Sequence, residues 1–226
     1  MQIVRRIVFA LAALGVLALA SLAGASSIRE VGVDSAEPFQ KPGCPQNCAA
    51  ITRVTGFQAR VGKKKNPYLV GRKGKIVAFT IDLAKPNDEQ MAYFTSNFGA
   101  TPRAGIAVLK MTHKNRSGKL LSRSGTFNLK PYLGTKPTFA LNKPLRVPRR
   151  SVIALVVPTW APAFTTKLAR SYSWRASRSS STCEDFMQRA VHMKIGKTRS
   201  YGCVYKTARM QYSADFVPDP QPASSK

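Results

Sequence analysis

The feature that most narrows the fold is punctuation. From residue 49 onward, short runs of Val, Ile, Thr, Phe and Tyr are separated by Gly, Pro, Asn and basic turns. The clearest is KIVAFTIDLA over 75–84, where Val77, Phe79, Ile81 and Leu83 fall on one face of a period-two strand. Further strands are expected over 49–61, 103–111, 120–122, 126–132, 138–141, 151–157, 171–174, 202–205 and 209–216. A short apolar piece, 68–70, sits inside a basic loop, 62–74. One segment is helical in pattern. Asn87 is placed to cap it, and Asp88 and Glu89 occupy its first turn. Met91, Phe94 and Phe98 recur at helical spacing, and Gly99 stops it. Many short strands and one short helix predict an all-β chain: an antiparallel β-sandwich, jelly-roll-like in type. An apolar content of 44% is enough to fill its core.

Residues 1–25 read as a signal peptide. Arg5 and Arg6 precede an uncharged apolar run, 7–20, and Ala23-Gly24-Ala25 offers small residues to a peptidase before Ser26. The apolar run, even taken to Leu22, is shorter than the roughly 20 residues of a spanning helix. No second long run follows, so no integral membrane span is expected after cleavage. The expected order is then an N-terminal arm over 26–43, a sandwich domain over 44–216 and a disordered Pro- and Ser-rich tail over 217–226. The expected location is secreted, extracellular or in the cell envelope. Four cysteines exported to such a place form disulfides. Among the three possible connectivities, the local pairs Cys44–Cys48 and Cys183–Cys203 are expected. Three residues separate Cys44 from Cys48, not the two of a thioredoxin-type motif, and the wide second spacing disfavours a zinc knuckle. No metal or cofactor is expected. Asn115-Arg116-Ser117 matches a glycosylation sequon, a weak three-residue signal.

A series of segments carries a resemblance: CPQNC, VTGFQ over 54–58, GKIVAFTIDLAKP over 74–86, LKPYLG over 129–134, VPTWAP over 157–162, SWRASR over 173–178 and YKTARMQYSA over 205–214. With these, the chain resembles a family of secreted bacterial β-sandwich proteins to which no activity is assigned. The resemblance spans nearly all of the exported part. It implies export, one β-rich domain and two local disulfides, and it carries over no functional residues.

Charge narrows the partners. Beyond residue 25 there are 34 Lys and Arg against 10 Asp and Glu, a net +24. Between Gln90 and Cys183 no acid occurs, against sixteen basic residues. Such a surface attracts polyanions. Outside a cell these are anionic polymers and glycans of the envelope or matrix, with nucleic acid ranked below them. The alternative is that scattered basic residues serve solubility alone. Tyr201, Tyr205, Lys206, Arg209 and Tyr212 sketch an aromatic-basic pattern of the kind single strands use. Sugar-binding sandwiches present aromatic rings, and the candidates here are Trp160, Trp174, Arg175 and Tyr172. Trp160, held between Pro158 and Pro162, either presents its ring or caps the core. Tyr172 and Trp174 share a strand face, which is more often a core face.

Catalytic signatures are sparse. Gly-x-Ser-x-Gly, His-Glu-x-x-His and Walker motifs are absent, and His113 and His192 are the two histidines. Acid pairs for glycoside hydrolysis are few, with Asp82 and Glu184 conceivable but unselected by pattern. The expected role is a non-catalytic, monomeric binding protein for an anionic or saccharide component outside the cell. The alternative is a secreted hydrolase built on Glu184, Asp185 and His192.

Overall fold

The computed structural model describes residues 27–33, 36–112, 114 and 116–220. The expected signal segment, His113, the sequon asparagine and residues 221–226 lie outside the described residues. The strands are β1 (Arg29–Val31), β2 (Ile51–Val61), β3 (Lys64–Lys65), β4 (Leu69–Val70), β5 (Gly74–Ile81), β6 (Arg103–Met111), β7 (Ser117–Arg123) and β8 (Phe127–Asn128). They continue with β9 (Thr138–Val147), β10 (Ser151–Ala161), β11 (Phe164–Thr165), β12 (Ser173–Ala176), β13 (Thr198–Ser200), β14 (Cys203–Lys206), β15 (Arg209–Met210) and β16 (Tyr212–Pro218). Helix α1 (Asp88–Phe98) interrupts them.

These strands build an all-β sandwich. A smaller sheet runs β1-β16-β5-β9 and a larger one β13-β7-β6-β10-β2-β12-β14. All pairings are antiparallel. No two neighbours in the smaller sheet are consecutive in sequence, so the chain crosses between sheets repeatedly, as in a jelly roll. The reason is burial: the two sheets cover each other's apolar faces, and the central strands β6 and β10 are buried along both of theirs. Ile76, Phe79 and Ile81 of β5 and Phe216 of β16 join Ile106, Leu155 and Val157 of the larger sheet in one buried cluster.

β5 departs from the simple alternation. Its pairing with β9 slips between Ile76 and Ala78, so Ile76 is buried and Val77 only half-buried. Phe79, Ile81 and Leu83 face inward as the pattern predicts. β10 runs through Pro158, which a regular central strand would not tolerate. The pairing with β2 breaks there, between Val157 and Trp160, and the bulge absorbs the missing N–H.

Two buried tyrosines join the sheets. The Tyr212 hydroxyl donates to the Ile153 carbonyl at 3.1 Å, and the Tyr68 hydroxyl donates to the Tyr212 carbonyl. Their rings stack with centroids 4.3 Å apart. Gly32, at φ +99°, lies against the Tyr68 ring, where a Cβ would come within 2.3 Å of it. Neither a left-handed backbone nor that contact suits another residue.

The helix forms as its sequence predicts. Asn87 Oδ1 accepts from the Gln90 N–H at 2.9 Å, and Gln90 Oε1 accepts from the Asn87 N–H at 3.1 Å. This reciprocal box satisfies two donors at the helix start. Gln90 Nε2 also donates to the Pro45 carbonyl at 2.7 Å, fixing the helix to the first disulfide turn.

Both ends of the domain are more ordered than their composition suggests. Arg29–Val31, in the expected arm, adds a strand to β16. Buried Arg209 donates to the carbonyls of Glu37 and Pro38 at 2.7 and 2.8 Å and stacks on Phe39 at 4.4 Å. At the other end, Val217 and Pro218 belong to β16, and the Asp219 N–H donates to the Lys73 carbonyl at 3.0 Å. No helix among the described residues is long and apolar enough to cross a membrane.

The disulfides are Cys44–Cys48 and Cys183–Cys203. The second closes the irregular 184–197 segment against the edge strand β14. Loop entropy assigns about 3 kcal/mol to this 20-residue loop and about 2 kcal/mol to the four-residue one. In urea unfolding, the Cys183→Ser/Cys203→Ser protein should lose about 3 kcal/mol, more than the Cys44→Ser/Cys48→Ser protein. An unchanged midpoint for the first pair contradicts this.

Candidate functional site

The sandwich is open along one side, where β9 is the free edge of the smaller sheet. There β9 carries residues 141–144 opposite the single Val77 of β5, because Ala140 pairs Ala78 and Leu145 pairs Ile76. The extra residues bow outward and wall a groove of about 550 Å³. Its other wall is the end of β7 and the turn leading to β8. Ser124 shapes that turn. Its Oγ accepts from the Ile106 N–H at 3.0 Å and donates to the Gly125 carbonyl at 2.6 Å. Gly105 permits the close approach, since a Cβ there would stand 2.5 Å from the Gly125 oxygen.

The groove carries Arg123, Lys143 and Arg146, with Ser122, Thr126 and Asn142 between them and Phe127 and Leu145 behind. Among the described residues, no carboxylate lines it. Arg123 is pinned, Nε donating to the Met193 carbonyl and Nη1 to the Ser124 carbonyl, both at 3.0 Å. Lys143 and Arg146 are exposed and free to follow a ligand. The arrangement supplies fixed and adaptable cations, hydroxyl and amide groups, and a partly apolar floor. It suits recognition of a polar anionic chain and contains no acid–base pair.

The residues expected to form a site each have their own partners. Trp160 is fully buried and presents no ring. It stacks on Phe94 of α1 at 5.1 Å, and its Nε1–H donates to the Gly99 carbonyl at 2.9 Å. With Phe94 and Phe98 it forms a second, smaller core under the helix. The flanking prolines thus stiffen a bulge that turns the ring inward. Tyr172 is buried and donates to the Glu37 carboxylate. That bond, then burial and the Glu37 charge, hold its phenol above the ordinary range. Arg175 donates to the Tyr201 carbonyl at 2.9 Å, and burial followed by the Arg116 charge lowers its pKa. Trp174 stacks on its cross-strand partner Tyr205 at 4.7 Å and lines a recess. The aromatic-basic pattern over 201–212 is not an open face either: Tyr201, Arg209 and Tyr212 are all buried.

The hydrolase constellation is not assembled. His192 is 2% exposed, and its ring nitrogens lie 3.2 Å from the Tyr201 hydroxyl and 3.1 Å from the Lys197 carbonyl. Glu184 and Asp185 are exposed and are not among its partners. Asp82 is half-buried, and burial raises its pKa against the opposing pull of Lys136 and Lys41. Among the described residues, no three His, Cys, Asp or Glu gather as a metal site would require.

The groove residues were missed because nothing distinguishes Arg123, Lys143 and Arg146 from other basic residues in one dimension. The signal that points to them is the acid-free run, which contains the whole groove. No protein-family model, curated protein or solved structure matches the chain.

Two outcomes follow. Replacing Trp160 by Ala should cost about 3–5 kcal/mol in denaturant unfolding, the range for a buried aromatic. A loss under about 1 kcal/mol would mean the ring is dispensable to the core. His192 has a pKa below its ordinary value, chiefly from burial, with the Lys197 bond opposing and the Arg199 charge adding. The unfolded chain therefore takes up this proton first, near pH 6.5. The stability contributed by neutral His192 is complete above about pH 6.5 and is lost as pH falls through the lower folded value. Thermal scans from pH 7 to 5 should show a falling Tm that His192→Gln flattens.

Proposed function

We propose that this protein is an exported, non-catalytic binder whose groove beside β9 takes an anionic chain outside the cell, such as a carboxylated or sulfated glycan. The observation that carries the reading is the unopposed charge of the groove: Arg123, Lys143 and Arg146 with no carboxylate among its lining residues. A polyelectrolyte gains more from such a site than a single ion does, because each neutralised charge releases a condensed counterion. The hydroxyl and amide groups of Ser122, Thr126 and Asn142 match the hydroxyls of a sugar, and Phe127 offers an apolar surface to a ring face. The two disulfides are compatible with an oxidising location, where envelope polymers are the abundant polyanions.

Retention on immobilised heparin or polygalacturonate tests this. The protein should be retained at about 0.15 M salt, where only closely matched charges still attract. Lys143→Glu/Arg146→Glu should elute at markedly lower salt than the charge-matched control Arg170→Glu/Lys206→Glu, which changes exposed residues outside the groove. Passage of the native protein at low salt, or equal shifts for the two variants, would overturn the assignment.

A further inference from the structure

A separate recess of about 270 Å³ opens where β11, β12 and β14 meet the segment just after Cys183, inside the loop that the second disulfide closes. It shares no lining residue with the groove. Its walls are aromatic. Trp174 is stacked on Tyr205 at 4.7 Å and touches Phe164 at 5.1 Å. Phe186, half exposed, lies beside Tyr205 at a centroid distance of 6.1 Å. Arg178 completes the wall and is 3% exposed.

The chemistry of Arg178 is unusual for so buried a cation. Nη1 donates to the Tyr205 hydroxyl at 2.9 Å, and Nη2 reaches the carbonyls of Phe186 and Thr52 at 3.3 and 3.5 Å. Nε has no hydrogen-bond partner. Every acceptor is neutral, and no described carboxylate pairs with the guanidinium. A buried charge is normally paired, because desolvation is otherwise uncompensated. Here the charge sits over the rings of Phe186 and Tyr205, at 5.6 and 6.0 Å, and beside a cavity.

We propose that this recess binds a small aromatic monocarboxylate, a planar apolar ring carrying one carboxylate. The rings supply faces for stacking, and the ligand's carboxylate supplies the counter-charge that the guanidinium lacks. A monoanion neutralises Arg178, whereas a dianionic phosphate would leave a net charge in an apolar recess. The volume lies just below the roughly 300 Å³ at which drug-sized pockets begin, so one ring system fits.

Calorimetric titration of the full chain with 2-naphthoate and its neutral isostere 2-naphthamide tests the assignment. The carboxylate should bind at least about tenfold more tightly, the scale of one charge-assisted pair. Arg178→Gln should abolish that preference. Phe186→Ala, at the exposed rim, should weaken 2-naphthoate several-fold without lowering Tm, and decides the case if Arg178→Gln fails to fold. Equal affinity for acid and amide, or no heat at about 10 mM of either, overturns the proposal. Heparin retention should be unaffected by Phe186→Ala, so this site and the groove succeed or fail separately.

Discussion

The sandwich depends on joining two sheets without stranding polar groups between them, and the Tyr68–Tyr212 pair does this at the centre. Each phenol brings a large apolar ring into the interior and a hydroxyl that must find an acceptor. The acceptors are main-chain carbonyls, Tyr212 for one and Ile153 for the other. Burial raises the pKa of both phenols, so they remain neutral donors at any physiological pH. The contact also explains the conformation of Gly32 and ties the first described strand to the middle of the core.

Elsewhere, side chains stand in for ladder bonds where strands lose regularity. The Thr55 N–H donates to Ser177 Oγ at 2.9 Å, and that hydroxyl donates to the Ala190 carbonyl at 2.6 Å. Gln58 accepts from the Met210 N–H at 2.9 Å and donates to the Ala208 carbonyl at 3.0 Å. These buried polar residues let irregular segments pack beside β2 without unpaired backbone groups.

Much of the fold is legible in the sequence, because strand and helix signals are local. The capping residue Asn87, the stop at Gly99 and the run over 103–111 all correspond to observed boundaries. Local signals fail where a partner element decides. Lys130–Tyr132 forms a short 3₁₀ turn inside an expected strand, and Pro144 and Pro158 sit within strands that bulge to admit them. The sites are less legible for the same reason. Trp160 looks presentable until α1 covers it, and Arg178 acquires its character only when folding sets it against the rings of Phe186 and Tyr205. What the residues do disclose is the acid-free stretch, whose meaning emerges when β7 and β9 bring its cations together.

The outward bow of β9 has a consequence for colloidal behaviour. A free sheet edge is a template on which another chain can add a strand. Between Ala140 and Leu145 this edge is irregular, carries Lys143, and includes Pro144, which has no N–H to offer. Arg146 adds a second exposed charge just beyond. A neighbouring molecule therefore meets like charge and a broken bonding row. The distortion that hollows the groove also blunts this edge against self-association.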